Sequence, residues 1–479
     1  MAARAVTEAV SLRLPAAIMD DLQAHLFRDD GDEHGAVIGA SVLRTERGLR
    51  LIGRRLFLAQ DGVDYVPGIR GYRRLTPEFV RRCVRECAEE RLAYLAVHNH
   101  FGTSRVAFSA DDLASHRRGY PALIDILDGP PAGALVFAQD AVAGDVWLTH
   151  EEQAALDCAT VLAPTPRRLY PEPQRPPGAD ARYDRQVRLF GDRGQHILAM
   201  QRVGIVGLGG GGVGSLINEY LARLGVGHIV AIDDDRIDET NYPRLVGSRP
   251  GDLGSTRLPR VLARWFGRPP TTKVVIAERL ALDVMPDIGF DAVEADVVDH
   301  DAVQRLVDCD AVFLAADTMR ARLVINALCH QYLIPVWQVG TKIQVDADEG
   351  DVEDVFSVVR HLVPGQSCLW CTGLIDRTQL AEESASPQQR DAQRYIAEVP
   401  APSVVTLNAV AAAHAVNDYL LTTVGLTASN PQAEWMRHHP LQRRLAQQRT
   451  RTDEACTECQ GRLGAGPLAR LPVKAAGRS

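Results

Sequence analysis

The sequence predicts an α/β protein of two domains, the second built on a doubly wound parallel sheet. Three observations support this fold class. The chain has 479 residues, more than one hydrophobic core usually organises. Short apolar strands alternate with amphipathic helices in two regions, and such alternation favours a parallel sheet. A segment with six prolines, at 163–180, separates the two regions and reads as an extended linker.

These features divide the chain into four segments. We expect a first domain over residues 1–155, a proline-rich linker over 156–181, a second domain over 182–460 and a disordered tail over 461–479.

The composition indicates which classes of binding partner and which cellular compartment to expect. The chain carries 53 Lys+Arg against 61 Asp+Glu, a net charge of −8, so nothing indicates a nucleic-acid or membrane partner. No apolar run reaches the length of a membrane span, and the N-terminus lacks the apolar core of a signal peptide. We therefore expect a soluble cytoplasmic protein. Its nine cysteines include two C-x-x-C pairs, which suggest metal ligands rather than disulfides.

The first domain is expected to contain five strands and one helix. Thr76 is a good helix cap, and Pro77 is tolerated at the first helical position. Apolar residues recur every three or four positions in this helix and include Cys83 and Cys87, which we assign to the core. The predicted elements are strands at 36–43, 49–59, 94–98, 134–138 and 145–149, and a helix at 76–91.

Polar residues that follow the strand at 94–98 form a candidate metal site. His98 and His100 alternate along the strand, so both imidazoles should point to the same face. Two histidines and one aspartate are the ligand set of a catalytic zinc, which lowers the pKa of its bound water to about 7. Asp112 is the candidate third ligand, and Glu33 is the candidate general base. The alternative is that the histidines are ordinary loop residues and that the motif S-x-x-D caps a helix.

The order Glu, H-x-H, S-x-x-D resembles the JAB/MPN (JAMM) metalloproteases, which cut after the C-terminal glycine of ubiquitin-like proteins. The resemblance implies that His98, His100 and an aspartate hold Zn²⁺, that Glu33 activates water and that Ser109 supports the oxyanion. One residue more than the family pattern separates His100 from Ser109, so Asp111 competes with Asp112 as ligand. The distance to Gly35 likewise makes Asp32 an alternative to Glu33.

The second domain is expected to be Rossmann-like. Its predicted elements are strands at 203–206, 228–232, 311–315, 335–339 and 344–346, with helices ending near Leu224, at 319–328 and at 404–421. An acidic crossover is expected at 376–399. Residues 207–214 hold six glycines in eight positions between a strand and a helix, as in a phosphate-binding loop. Asp233 ends the next strand, where dinucleotide folds place a ribose-binding carboxylate. This pattern alone fits NAD, FAD or ATP.

Five further features join the glycine loop. They are the motif RYDRQ at 182–186, Asp233 with Asp235, the motif NYPR at 241–244, Asp317, and the cysteine pairs Cys368/Cys371 and Cys456/Cys459. Together they resemble the E1-like adenylyltransferases of the ThiF, MoeB and ubiquitin-activating type.

The E1-like resemblance implies a role for each matched residue. It implies that Asp233 binds ribose, that Asn241 and Arg244 bind the triphosphate and that Asp317 holds Mg²⁺ near the α-phosphate. Arg185 would reach the site of a partner protomer in a homodimer. The remaining matched residues are Gly209, Gly211, Gly212 and Gly214 in the loop, Asp235, and Arg257 in place of the family's lysine.

The same resemblance joins the two cysteine pairs in one structural Zn²⁺ site, although 84 residues separate the pairs. It also suggests a thioester cysteine in the crossover, but residues 372–455 contain no cysteine. We therefore expect an acyl-adenylate that passes directly to an E2-like cysteine or to a sulfur donor.

The combined prediction is a zinc peptidase fused to an adenylating enzyme. The second domain would use ATP and Mg²⁺ to adenylate the C-terminal glycine of a ubiquitin-like or sulfur-carrier protein ending in Gly-Gly, and the first would cleave its precursor or conjugates. One alternative is an NAD-dependent oxidoreductase, which explains only the glycine loop and Asp233. Another is an adenylating enzyme whose first domain is an inactive docking module.

Overall fold

The computed structural model of the chain describes residues 8–67, 71–209, 212–254, 268–346, 351–384, 402–427, 434–449 and 451–474. The chain forms two units, each with its own sheet. The first unit comprises Met1–Arg175, Gln331–Leu333 and Arg462–Arg470, and the second comprises Pro176–His330, Ile334–Gly461 and Leu471–Ser479. The fold is therefore α/β in both parts, as predicted.

The first unit is an eight-stranded sheet with three helices. Its strands are β1 (Val10–Pro15), β2 (Gly35–Thr45), β3 (Gly48–Leu58), β4 (Ala93–Asn99), β5 (Ala132–Phe137), β6 (Val142–Trp147), β7 (Gln153–Leu162) and β8 (Arg167–Leu169). Its helices are α1 (Ala16–Leu26), α2 (Pro77–Glu90) and α3 (Ala110–Leu127). The strand order is β1-β3-β2-β4-β5-β6-β7-β8, and β1 also pairs with β7, so the sheet closes on itself.

Strand β7 corrects the predicted linker at 156–181. Ala154, Leu156, Ala159 and Val161 are buried, and from Leu156 to Leu162 the strand pairs with β1 in parallel. The apolar side chains inside the closed sheet therefore keep the chain in the first unit well past residue 155. The prolines that follow do not interrupt this strand, and the second unit begins at Pro176.

The second unit has a second eight-stranded sheet. Its strands are β9 (Arg202–Val206), β10 (His228–Ile232), β11 (Gly289–Val293), β12 (Ala311–Leu314), β13 (Val336–Val345), β14 (Val352–Leu362), β15 (Glu434–His439) and β16 (Arg444–Arg449). The helices in its described residues are α4 (Asp184–Ala199), α5 (Val213–Leu224), α6 (Lys273–Val284), α7 (His300–Gln304), α8 (Met319–Tyr332), α9 (Arg377–Ser384) and α10 (Val405–Val424). Short 3-10 turns lie at Ala181–Tyr183, Pro250–Leu253 and Gly466–Leu468.

The strand order β11-β10-β9-β12-β13-β14-β15-β16 combines a parallel half with an antiparallel half. Strands β9 to β13 are parallel to one another, as expected for a doubly wound sheet, and β14, β15 and β16 add antiparallel pairs. The two predicted strands at 335–339 and 344–346 are one continuous strand, β13. Its antiparallel partner β14 supplies hydrogen bonds through the polar stretch between them.

The core of the second unit packs α5 and α10 against this sheet. Phe313, Trp337 and Tyr419 are buried and their rings contact one another, with centroids 5.4 to 5.8 Å apart. Offset and edge-to-face contacts at this spacing stabilise a core beyond the area that they bury. The packing fixes the parallel strands, whose carboxyl ends all open on one edge of the sheet.

The described part of the tail, 461–474, is ordered, so the prediction of a disordered segment is wrong there. Ser41 Oγ donates a hydrogen bond of 2.9 Å to the carbonyl of Gly464 within the first unit. Gln331 Nε2 donates to the carbonyls of Gly466 and Ala469, each at 2.7 Å. These backbone carbonyls are satisfied by buried side chains, which holds the segment in place although its composition is rich in Gly, Ala and Arg.

Candidate functional site

The glycine loop joins β9 to α5 through backbone that other residues would strain. Gly207 and Gly212 have φ angles of +87° and +76°, the left-handed region that favours glycine. A Cβ at Gly212 would collide with the carbonyl of Arg244, and one at Gly214 would collide with the carbonyl of Gly207. The loop is therefore packed against the segment that carries Arg244. Gly211, also predicted for this loop, lies outside the described residues.

Asp233, at the end of β10, holds the loop in position. Its Oδ2 accepts a hydrogen bond of 2.6 Å from Leu208 N, and its Oδ1 accepts one of 2.9 Å from Asp235 N. Burial raises the pKa of Asp233, while nearby Lys273 and the two amide donors oppose that rise. The carboxylate organises the turn at the sheet edge where a ribose would lie.

Lys273 lies beside the glycine loop and was not predicted from the sequence. It begins α6, is 3% exposed, and its Nζ lies 2.5 Å from Asp235 Oδ2 and 3.8 Å from Asp233 Oδ1. A Cβ at Gly209 would collide with its side chain, so the ammonium lies directly over the glycine loop. Arg257, which spacing selected as the basic residue, lies outside the described residues. Lysine occurs only three times in a chain with 53 Lys+Arg, and that rarity was the available signal.

A cleft of about 400 Å³ opens at the carboxyl ends of β9, β10 and β12. This is the edge at which doubly wound sheets bind ligands, and the volume suits a nucleotide. Asp317 and Thr318 line the cleft together with the end of β10. The acidic residues that line it are Asp233, Asp234, Asp235, Asp296, Asp317 and Glu383. Such a lining needs cations to accept a polyanion.

Helix α8 begins at this cleft, and a carboxylate covers its N-terminus. The two oxygens of Glu383 accept hydrogen bonds of 2.9 Å from Met319 N and 2.9 Å from Arg320 N. These amides have no partner within the helix and carry the positive end of the helix dipole. An anion is thus already held beside Asp317.

The other predicted nucleotide ligands lie at different depths. Asn241 is buried, and its Oδ1 accepts a hydrogen bond of 3.0 Å from Asp238 N, which shapes the loop. Arg244 is partly buried, and its Nε has no hydrogen-bond partner in the described part of the chain. Arg185 is exposed on the first turn of α4 and does not line the cleft.

Four cysteines converge elsewhere in the second unit. The Sγ atoms of Cys368, Cys371, Cys456 and Cys459 lie within 4.8 Å of one another, and none forms a disulfide. The sulfurs of Cys371 and Cys459 are 3.7 Å apart, close to the roughly 3.8 Å that a tetrahedron of 2.3 Å Zn–S bonds requires. The fold therefore joins the two C-x-x-C pairs into one donor set that fits a structural Zn²⁺.

The second unit matches a known protein family. A profile described as the ThiF family matches residues 183–460, more than half of the chain. The chain belongs to the ThiF family. The match covers the glycine loop, the acidic cleft and all four cysteines.

Three relatives of this ThiF-family protein are informative. It is 30% identical over 157 residues to the SAMP-activating enzyme E1 of Haloferax volcanii, covering 32% of this chain and 52% of that one. It is 29% identical over 189 residues to ubiquitin-like modifier-activating enzyme 5 of Oryza sativa subsp. japonica, covering 36% and 42%. It is 27% identical over 181 residues to tRNA threonylcarbamoyladenosine dehydratase of Escherichia coli K12, covering 37% and 61%. The chain spans about half the length of these relatives.

The first unit lies outside the matched region and brings its predicted residues together. The Nε2 atoms of His98 and His100 are 3.2 Å apart, and each is 3.7 Å from Asp112 Oδ2. Burial opposes ionisation of Asp112, but the nearby His98 imidazole and the hydrogen bonds from Ser109 hold its pKa well below the usual range. The three side chains offer one ligand atom each around a common point, and the neighbouring Asp111 is exposed.

The second carboxylate of this cluster is Glu33. Its Oε1 lies 4.0 Å from His100 Nε2, and burial raises its pKa although both histidines oppose the rise. Asp32 instead accepts a hydrogen bond of 2.8 Å from Gly71 N. Ser109 caps α3, and its Oγ donates to Asp112 Oδ2 at 2.6 Å. The geometry thus favours Asp112 over Asp111 and Glu33 over Asp32, while S-x-x-D also forms the capping box.

Among the helices that the structure describes, none combines the length and the hydropathy that a membrane span requires.

Proposed function

We propose that the second unit uses ATP and Mg²⁺ to adenylate the C-terminal carboxylate of a ubiquitin-like or sulfur-carrier protein. The observation that supports this most is the cleft lined by Asp233 and Asp317, next to a glycine loop that Lys273 covers at Gly209, in a chain of the ThiF family. Two of the matched relatives are named for activating protein modifiers, the SAMP-activating enzyme and modifier-activating enzyme 5.

Basic groups bind the phosphates, and acidic side chains bind the ribose and the metal ion. The loop amides at the start of α5, with Lys273 and Arg244, bind the phosphates, and Asp233 binds the ribose. The substrate carboxylate attacks the α-phosphorus, the bond to the β-phosphate breaks, and pyrophosphate leaves. Asp317 would hold Mg²⁺, which neutralises charge on the phosphates. A dinucleotide oxidoreductase would not need the basic residues Arg244 and Lys273.

The four cysteines would hold one structural Zn²⁺. Such a site ties Cys368 and Cys371, beyond β14, to Cys456 and Cys459, beyond β16. All four thiolates are used, so no open position remains for chemistry.

We propose further that the first unit is a zinc peptidase acting on the same protein's precursor or conjugates. His98, His100 and Asp112 would hold the ion, which activates water when bound, and Glu33 would accept the proton from that water. Ser109 would donate a hydrogen bond to the developing oxyanion. The favouring observation is the 3.2 to 4.0 Å clustering of these side chains at the end of β4.

The oligomeric state and acyl acceptor are further parts of the proposal. Exposed Arg185 would enter the cleft of a second copy in a homodimer. Cys309 and Cys329 are buried, and Cys158 is half-buried, so none of these thiols is presented for a thioester. The acyl group would pass to an E2-like cysteine or a sulfur donor.

Mass spectrometry of a carrier protein ending in Gly-Gly, incubated with ATP and the full chain, tests the adenylation. We expect a mass increase of one AMP that requires the free terminal carboxylate. An unchanged carrier mass, with nicotinamide dinucleotide binding in place of ATP, would favour the oxidoreductase. Zinc analysis and cleavage of a carrier with a C-terminal extension test the peptidase. One zinc per chain and no cleavage would indicate a docking module.

A further inference from the structure

Three arginines of the second unit gather on one face of its sheet. Arg360 lies on β14, Arg437 on β15, and Arg322 in the first turn of α8. Burial is the largest cause that lowers the pKa of Arg360. The charges of Arg322 and Arg437 lower it further, and together these effects bring it to about 10. Aromatic rings support the two strand residues: the Arg360 guanidinium lies 4.7 Å from the Trp435 ring, and that of Arg437 lies 4.1 Å from the Phe356 ring.

The positive charge of the two strand arginines, Arg360 and Arg437, is poorly compensated. Within the described residues, no carboxylate forms an ion pair with Arg360 or Arg437, and Arg360 is only 8% exposed. Arg360 Nη1 donates to the neutral amide oxygen of Gln338 at 2.5 Å. The Nε atoms of all three arginines are buried without a hydrogen-bond partner among the described residues. Like charges held together in a partly desolvated site favour an anionic ligand.

The cluster lies beside the reaction site. Asp317 and Glu383, which line the cleft, are the carboxylates that act on the charge of Arg322. Leu314 at the end of β12 pairs with Gln338 on β13, and Gln338 pairs with Arg360 on β14. Arg360 is therefore level with the end of the strand that leads to Asp317, two strands away. At about 4.8 Å per strand, that separation is roughly 10 Å.

We propose that the arginine cluster binds an acidic side chain in the C-terminal tail of the protein substrate. This inference rests on the proposed adenylation, because the terminal carboxylate must then reach the α-phosphate beside Asp317. An extended chain advances about 3.3–3.6 Å per residue, so roughly 10 Å corresponds to about three residues. The acidic residue is thus expected about three residues before the terminal glycine. The cluster gives the substrate tail its register and selects acidic over basic tails.

Synthetic octapeptides ending in Gly-Gly provide the probe. One series carries Glu, Gln or Lys at the fourth position from the C-terminus, and a second moves the Glu by one position either way. Binding to the full chain is measured by fluorescence anisotropy with ATP present, and ATP–pyrophosphate exchange is measured in parallel. The Glu peptide should bind at least tenfold more tightly than the Gln peptide, and the Lys peptide should bind most weakly.

Arg437→Gln should remove the preference for Glu while leaving the KM for ATP within twofold of the wild-type value. Arg437 is only half-buried, so this variant avoids the folding risk of changing Arg360. Arg444→Gln, an exposed arginine on β16, is the matched control and should keep the preference.

Two results would overturn the arginine-cluster proposal: equal binding of the Glu and Gln peptides to the wild-type chain, or a Glu preference that survives in Arg437→Gln. Arginine-dependent binding of the Glu peptide without any exchange would support the cluster and contradict the adenylation. Exchange without a Glu preference would support the adenylation and contradict the arginine-cluster proposal.

Discussion

Replacement of Lys273 by methionine should weaken ATP binding without unfolding the protein. Methionine fills nearly the same volume, so the change removes the ammonium and little packing. The lost group lies 2.5 Å from Asp235 Oδ2 and 3.8 Å from Asp233 Oδ1, above Gly209. Two carboxylates then face the phosphates without this cation, so the electrostatic potential of the loop becomes more negative.

The size of the loss in ATP affinity follows from the charged hydrogen-bond donor that the substitution removes. A hydrogen bond to a charged group contributes about 1.5–3 kcal/mol, and each 1.4 kcal/mol changes a dissociation constant tenfold. The Kd for ATP should therefore rise by about 10- to 100-fold. The cost in folding stability should be smaller, about 1–2 kcal/mol, because Asp235 is 65% exposed and water can solvate it once its partner is lost.

Isothermal titration with ATP measures this change, and thermal melting reports the stability. Lys342→Met is the matched control because that lysine is exposed on β13. A Kd within twofold of the wild-type value in Lys273→Met would refute the assigned role. If Arg257→Ala instead gave the large loss, the basic residue chosen by spacing would be the phosphate ligand.

Three more predictions follow from the sites. Asp317→Ala should abolish ATP–pyrophosphate exchange and spare peptide cleavage, whereas His98→Ala should do the opposite; loss of both activities in a folded variant would contradict separate sites. Gly212→Ala should cost about 1–3 kcal/mol of stability and weaken nucleotide binding, because its backbone is left-handed and a Cβ meets Arg244; an unchanged melting curve would argue against that strain. Cys368→Ser should remove one zinc per chain and cost about 4 kcal/mol, roughly the stabilisation by a ligand at a thousandfold its Kd; unchanged zinc content would contradict the four-cysteine site.

The local sequence pattern predicted those elements whose defining residues lie within a few positions of one another. Strand β10 was predicted at 228–232, because a short apolar run between a helix and an acidic turn has few other interpretations. The same holds for α2, where Thr76 accepts the capping hydrogen bond from Phe79 N at 3.3 Å. The glycines at 207–214 predicted the position of the loop, because Gly207 and Gly212 adopt positive φ angles that favour glycine.

Other features depend on contacts between distant segments. Strand β7 is stabilised by pairing with β1, about 147 residues away, and by a 3.0 Å hydrogen bond from Val10 N to the side-chain Oδ2 of Asp157. The ordered tail relies on side-chain donors such as Ser41, which local composition cannot reveal. Lys273 was missed because the resemblance to the E1-like family placed the basic residue at Arg257, whereas the sheet brings the start of α6 back to the glycine loop. The proposal of Asp112 rather than Asp111 as the metal ligand likewise depends on the geometry of α3, which leaves Asp111 exposed.

ATP–pyrophosphate exchange tests the central claim most directly. The full chain would be incubated with ATP, labelled pyrophosphate and each small β-grasp protein encoded beside this gene, with the terminal carboxylate free or blocked as a carboxamide. We predict label incorporation into ATP only with a free carboxylate, and its loss in Asp317→Ala. Binding of ATP to the wild-type chain without carboxylate-dependent exchange for any of these proteins would contradict the account.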